Sequence, residues 1–265
     1  MANALLVTGG SSGIGRACAE RMHAQGWSVI GASRRGTSSG GWRPVVMDVD
    51  SDESVAAAMA QVLDESPRLD GLVACAGWGL AGPVEETPLV EARAQLETNF
   101  WGTVRVVQHV LPVMRRQQRG RIVLMSSIGG VVALPFQAFY SASKFALEGY
   151  SEALAYEVAP FGISVTLVEP GNVATEFTER RRQVTAPGDD AYGQAAARAI
   201  TTMAEDEANG VEPDRVAAVV QRVLEVRRPP RRASVGRADE RVGIIAKRLL
   251  PFRVFERAAR GSLGV

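Results

Sequence analysis

Ala4-Leu-Leu-Val-Thr-Gly-Gly-Ser-Ser-Gly-Ile-Gly15 is the stretch on which the reading of this chain turns. Its unbroken apolar start suits a strand buried on both faces, and Thr8-Gly-Gly ends that strand in a sharp turn. Ile14, Ala17, Cys18, Arg21 and Met22 then recur at helical spacing, with Gly26 as a C-cap candidate. A strand, a glycine turn and a helix N-terminus in that order bring backbone amides toward an anion. Gly9, Gly13 and Gly15 remove side chains where the backbone must turn and approach phosphates. The spacing is Thr-Gly-x-x-x-Gly-x-Gly, not the G-x-G-x-x-G dinucleotide fingerprint. A glycine-rich turn by itself is often only a turn; its place between the first strand and the first helix makes this one a phosphate cradle.

The same alternation continues outward. Strands are expected over 28–33, 44–47, 71–76, 121–126 and 162–168, with a seventh over 233–236. Ser51 caps a helix carrying Val55, Met59, Val62 and Leu63. Further helices are expected over 91–115, from Tyr140 to about residue 158, and over 214–226. Strands apolar on both faces and separated by helices imply an α/β fold: a doubly wound, Rossmann-type parallel sheet in three α/β/α layers. No repeat, low-complexity tract or linker divides the chain, so 1–265 reads as one domain. Two regions depart from the pattern. Residues 172–210 are polar, with Pro187-Gly-Asp-Asp190 in the middle, and come after a strand's C-terminal end, where a lid would sit. Residues 237–265 are basic and amphipathic.

Composition removes several classes. A net charge of +1 gives no pull toward nucleic acid. Cys18 and Cys75 are the only cysteines, and His23 and His109 the only histidines, so neither a disulfide framework nor a metal site is expected. Each histidine is most simply a helix-surface residue. The first residues carry no basic segment, and the apolar run Ala4–Val7 is too short for a signal or a membrane span, so a cytoplasmic location is expected.

The residues just past the second strand decide between cofactors. A carboxylate there would accept from the ribose hydroxyls of NAD; this chain has Ser33-Arg34-Arg35 instead, and an arginine pairs with a 2′-phosphate. NADP is therefore expected, the plainer alternative being two solvated loop charges. Asp48, ending the third strand, can accept from an adenine amino group or merely start the next helix. At the reacting end, Tyr140 lies thirteen residues after Ser127 and four before Lys144. A tyrosine with an ordinary pKa near ~10 is a poor base at neutral pH, and a cation beside it favours the phenolate. One helical turn places Lys144 on the same face. Ser127, at a strand's C-terminal end, faces the cleft where open α/β sheets bind ligands. Tyr-x-x-x-Lys alone occurs by chance in many helices; the serine spacing and the glycine turn give it weight.

With these residues the chain resembles the short-chain dehydrogenase/reductase family. The resemblance rests on Thr8-Gly-Gly-Ser-Ser-Gly-Ile-Gly15, Asp48, Ala76-Gly77, Asn99, Ser127, Tyr140-Ser-Ala-Ser-Lys144, Pro170-Gly171 and Thr175, in family order. It implies seven parallel strands with three helices on each side. It implies Tyr140 as acid/base, Ser127 as carbonyl anchor, Lys144 on the nicotinamide ribose and depressing the tyrosine pKa, and Asn99 holding a water that relays protons to Lys144. The implied cofactor contacts are Gly9, Ser11, Ser12, Gly13, Ile14, Arg34, Asp48, Val49, Ala76, Gly77, Tyr140, Lys144, Pro170, Gly171, Val173 and Thr175. A homodimer or homotetramer through the long helices carrying Asn99 and Tyr140 is implied as well. One departure stands out: the family's Asn-Asn-Ala-Gly is Ala74-Cys-Ala-Gly77 here. The backbone contacts of Ala76 and Gly77 are expected to survive it, with Cys75 a buried, inert thiol.

The stretch from Leu134 to Gly149 is similar to hydroxysteroid and retinol dehydrogenases, which implies a bulky apolar ketone or alcohol, with Trp78, Phe136, Phe177 and Tyr192 as lining residues. A carrier-linked 3-ketoacyl reductase is the enzymatic alternative, since Arg180-Arg-Arg182 on the lid could meet an anionic substrate; a solvated charge cluster is the plainer reading. A non-catalytic NADP sensor or scaffold is the rival of another class, and the retained Ser127, Tyr140, Lys144 and Asn99 argue against it. The tail's Arg241, Lys247, Arg248, Arg253, Arg257 and Arg260 among Val242, Ile244, Ile245, Leu249, Leu250, Phe252 and Phe255 suit either a membrane surface or packing over the cleft or a subunit interface. Carbonyl reduction is the expected direction.

Overall fold

The apolar run near the N-terminus forms β1 (Ala4–Thr8), buried along its whole length. The computed structural model describes residues 2–38, 40–184 and 191–263. After β1 come α1 (Gly13–Ala24), β2 (Ser28–Ser33), β3 (Arg43–Val46), α2 (Asp52–Glu65), β4 (Gly71–Ala74) and the short β5 (Leu80–Ala81). The middle of the chain holds α3 (Leu89–Leu96), α4 (Gly102–Gln117), β6 (Gly120–Met125), α5 (Ala138–Val158) and β7 (Ile163–Pro170). The last part holds β8 (Arg182–Gln183), α6 (Gly193–Ala208), α7 (Pro213–Glu225), β9 (Arg232–Val235), α8 (Ala238–Leu249) and α9 (Phe252–Leu263).

Seven of these strands form one sheet in the order β3-β2-β1-β4-β6-β7-β9, every pairing parallel. The α/β, Rossmann-type expectation is met. Side chains alternate across the sheet, so Leu6 joins the core under α2, α4 and α5, while Leu5 and Val7 join the core under α1 and α7. Each fully buried Leu or Val of this kind is worth about 1.5–3 kcal/mol. Chain order reverses between β1 and β4, so the C-terminal ends of β1, β4, β6 and β7 open onto a crevice, the place where such sheets bind ligands. Ser51 caps α2 as expected, accepting from the Ser54 amide at 3.1 Å.

Four expectations need correction. The helices do not divide three and three: α2, α4 and α5 cover one face and α1 and α7 the other, β2 and β3 being joined without a helix among the described residues. The helix expected over 91–115 is interrupted by a π-turn at Glu97–Trp101, with α3 before it and α4 after it. β4 stops at Ala74, so Cys75 belongs to the loop beyond it. The polar excursion carries one helix, α6, among its described residues and is tied down: its ends meet at a bridge between Val173 and Val211, and β8 pairs with β5. Pro187-Gly-Asp-Asp190 lies outside the described residues.

Candidate active site

A cleft of about 1060 Å³ runs along the C-terminal ends of the strands. Its first end is the glycine turn. Gly9 has φ +68°, and a Cβ on Gly15 would lie 2.3 Å from the Gly9 carbonyl oxygen, so this tight approach of turn and helix admits only glycine. Thr8 Oγ1 accepts from the amides of Cys75 (3.1 Å) and Ala76 (3.2 Å). That pair fixes the loop after β4 without the family's two asparagines, and the expected Ala76 and Gly77 placement survives.

The N-terminus of α1 has no side-chain cap and no acidic residue in its first turn. No side chain of the helix's own first turn takes its amides, and the helix dipole favours an anion there. The surrounding groups agree. Arg35 donates to Ser11 Oγ at 3.0 Å, and Arg180 reaches from the lid to Ser12 Oγ at 2.8 Å. Glu176 is held below the usual carboxylate range by its own backbone N–H, then by Arg16, Arg180 and the Gly13 N–H. A carboxylate thus already uses the field that phosphates would use. Arg34, Asp48 and Val49 line the cleft beyond, and the turn and its cations fit a dinucleotide.

The reacting groups sit in the middle. Ser127 comes just after β6, and its Oγ accepts from the Gly129 amide at 2.9 Å. Tyr140 and Lys144 lie on the buried face of α5. Ser127 lies beside the Tyr140 phenol, and Phe177 packs edge-on to the Tyr140 ring at 5.9 Å. Burial pushes the phenol up to about 12, with Ser127 pulling the other way. Burial also pushes Lys144 down to about 8, against Cys75 and Glu148. The expected depression of the tyrosine by the lysine is therefore not what the chain alone displays. The Lys144 Nζ is 5.8 Å from the Tyr140 ring centre and donates to the Met125 carbonyl at 2.9 Å, so desolvation outweighs its charge. One turn further along α5, Glu148 accepts from Ser126 and from Arg232, a buried brace beneath the site.

Asn99 is the one named residue behind the wall of the cleft. It sits in the π-turn, a distortion frequent at functional sites. Its Oδ1 accepts from the Trp78 amide (3.0 Å), and its Nδ2 donates to the Trp78 carbonyl and to Ser143 Oγ (both 3.1 Å). The side chain that the resemblance assigned to a water is committed to bracing residue 78 against α5. Every other named catalytic or cofactor residue lines the cleft, Pro170, Gly171, Val173 and Thr175 at the far side included.

The other end is built by the lid and the tail. Trp78 and Phe177 line it as expected; Phe136 and Tyr192 lie outside it, Tyr192 donating instead to Glu85 at 2.9 Å. The three lid arginines are paired rather than free, with Arg181 buried and Arg180 and Arg182 still exposed. Arg180 holds Ser12, Arg181 is buried against Glu207, and Arg182 stacks 4.3 Å from the Trp78 ring and pairs with Glu91. Cys75 is only half-buried and lines the cleft, hydrogen-bonded to the buried Cys18; both thiols are free.

The tail was legible only as two alternatives, and packing over the cleft is one that the structure displays. Glu240 of α8 accepts from the amides of Asn172 (2.9 Å) and Arg237 (2.7 Å). A Cβ on Gly171 would lie 2.1 Å from that carboxylate. Arg237 pairs with Asp206 of α6 at 3.0 Å, and Lys247 donates to the Val131 carbonyl and sits over the Phe145 ring. Gly243, Ala246, Leu250 and Phe255 complete an apolar wall. Sequence reasoning missed Glu240 and named Arg180 without its partner, because Asn172 and Ser12 lie 68 and 168 residues from them in the chain. Glu148 did carry a signal, four residues after Lys144.

Residues 3–186 match the short chain dehydrogenase family. The chain is 40% identical to a 3-ketodihydrosphingosine reductase of Bacteroides thetaiotaomicron over 97% of this chain and 96% of that protein. It is 40% identical to the 17-beta-hydroxysteroid dehydrogenase type 1 of Mus musculus, over 66% of this chain and 56% of that protein. Among solved structures, a short-chain dehydrogenase from Streptomyces avermitilis superimposes with a TM-score of 0.84 at 33% identity, covering 98% of each chain.

Proposed function

The chain belongs to the short-chain dehydrogenase family and is an oxidoreductase acting on alcohol and ketone groups; within that chemistry we propose an NADP(H)-dependent reductase of a bulky, largely apolar ketone. The observation that carries this reading is a neutral, buried Tyr140 phenol, beside Ser127, between an anion-seeking glycine turn and an apolar wall. A nicotinamide bound along the cleft would supply the hydride. Tyr140 gives the carbonyl oxygen its proton, and a phenol pushed up to about 12 holds that proton at neutral pH. Ser127 Oγ holds the same oxygen. Lys144, charged below about pH 8, holds the ribose and stabilises the phenolate left behind. Asn99 acts by bracing Trp78 and α5.

For the cofactor, Gly9, Ser11, Ser12, Gly13 and Ile14 would hold the pyrophosphate on the uncapped end of α1. Arg34, with Arg35 beside it, would pair with the 2′-phosphate, and Asp48 and Val49 would border the adenine. Pro170, Gly171, Val173 and Thr175 would border the nicotinamide amide.

Within the apolar class, the full-length similarity to a 3-ketodihydrosphingosine reductase favours a ketone on a long alkyl chain over a rigid steroid. The tail wall gives such a chain somewhere to lie. The carrier-linked alternative loses its main support, because the lid arginines that would meet an anionic carrier are engaged within the protein. Self-association as a homodimer or homotetramer is part of the proposal, supported by Trp101 and Tyr156 standing exposed on the long helices. So is a cytoplasmic location, supported by two thiols in contact and unpaired.

The test is NADPH oxidation against a panel of long-chain 3-ketones, steroid ketones and 3-ketoacyl thioesters. Loss of the general acid in Tyr140→Phe is expected to lower turnover by about 10²–10⁴-fold while NADPH affinity holds within about twofold. Turnover equal to the parent's would sink the mechanism; a parent that oxidises NADPH with no member of the panel would return the chain to the sensor or scaffold class.

A further inference from the structure

α8 is docked by one face and apolar on the other. Glu240, Ile244 and Lys247 face the protein, and Ile244 is buried. A helix docked this way ordinarily turns polar residues outward. Here Ile245 and Leu249 come together on the outward side at helical spacing, Leu249 being 77% exposed, and Val242, 60% exposed, stands where that side meets the cleft. Phe252, 74% exposed, and Val254 extend the apolar surface onto α9.

Charge says what covers this surface. Beyond Glu240 the chain holds six lysines and arginines against one acid, Glu256, although the whole chain is only +1. The rest of the protein is therefore net negative, and the cations are gathered where the exposed apolar residues are. Arg241, Arg253 and Arg257 are exposed among them. A second copy placed symmetrically on the stripe would set this positive segment against itself. An anionic bilayer meets both features at once: apolar residues enter the interface and arginines pair with the headgroups. Among the described residues no helix is long and apolar enough to cross a membrane, so the helices would lie along the surface.

The position of the stripe supplies the reason for it. Gly243, Ala246, Leu250 and Phe255, on the same two helices, form the apolar wall of the cleft. We propose that α8 and α9 are a docking platform for an anionic phospholipid surface, set so that the cleft mouth opens beside the bilayer and takes its ketone from it. Only the second half of that statement rests on the proposed ketone reductase activity.

The full chain is sedimented with phosphatidylcholine vesicles and with vesicles containing phosphatidylglycerol, without cofactor or substrate. Partition into the anionic vesicles is expected to be at least ~10-fold stronger and to fall as salt is raised. Ile245→Glu combined with Leu249→Glu and Phe252→Glu, none of which lines the cleft, abolishes it and leaves reduction of a short, water-soluble ketone unchanged. Arg241→Glu with Arg253→Glu and Arg257→Glu keeps the apolar stripe and loses the preference for anionic lipid. Wild-type protein remaining in the supernatant with both vesicles overturns the proposal, as does an Ile245→Glu, Leu249→Glu, Phe252→Glu protein that still sediments. A triple variant that converts a dimer to a monomer in sedimentation velocity also overturns it, by making the stripe a subunit interface. A Tyr140→Phe protein that keeps full activity would strike the proposed function and leave the vesicle result standing.

Discussion

At the cofactor end of the cleft, the groups facing the ligand are main-chain amides of residues 9–14 and side chains just past the ends of β2 and β3. At the substrate end they come from the loop after β4, the lid and two tail helices, drawn together by contacts such as Glu240 to Asn172 and Lys247 to Val131. The first end is made by short turns between adjacent sheet elements, whose geometry is set by local sequence. The second is made by segments that must find one another after the sheet is built. That difference explains why one cofactor can serve a whole family while substrates vary: lid and tail can change without disturbing the turn.

The contrast can be tested from the centre outward. Lys144 is pushed down to about 8 by burial, and the charged form is the one proposed to work. As pH rises through that value the ammonium is lost, so kcat/KM should fall about tenfold per pH unit above it. Lys144→Arg, even with reduced activity, should carry the limb upward; an unmoved limb would assign it to another group.

At the cofactor end, Arg34→Asp combined with Arg35→Asp should lower the preference for NADPH over NADH by about 10–100-fold, the worth of one or two charge-assisted hydrogen bonds. The KM for the ketone should stay within about twofold. Glu240→Ala is the mirror experiment, since it removes the acceptor for two backbone amides and unseats α8. It should raise the ketone KM about tenfold with NADPH affinity unchanged. If either variant disturbs both ligands equally, the two ends are not independent. Arg180→Ala crosses the divide, because a lid residue holds Ser12 of the turn. Its effect should be the smallest, a rise of about 3–5-fold in the NADPH dissociation constant, typical of one exposed charged contact. Stopped-flow release of NADPH would record it.

Legibility in the sequence divides along the same line. The phosphate turn, Ser127, Tyr140 and Lys144 could be named from spacing, because strand, turn and helix periodicity fix where each side chain points. Phe136 could not be placed that way: it is aromatic and close to Tyr140 in sequence, but it adopts φ +57° and lies outside the cleft. Asn99 was found by its motif, but its partners depend on a π-turn that hydropathy does not reveal. The arginines of the lid read as a solvated run because sequence carries no trace of Glu207, Trp78 or Ser12 waiting opposite.

By itself the sequence determined the parallel sheet, the anion-binding turn and the residues that handle the proton, since each is written in contacts a few residues long. Tertiary structure alone decided the protonation of those residues and the shape of the substrate end. Burial is a property of the whole fold, and here it overrides the local rule that an ammonium acidifies a nearby phenol. The apolar wall exists only once a tail more than 200 residues from the turn has folded back across the strand ends.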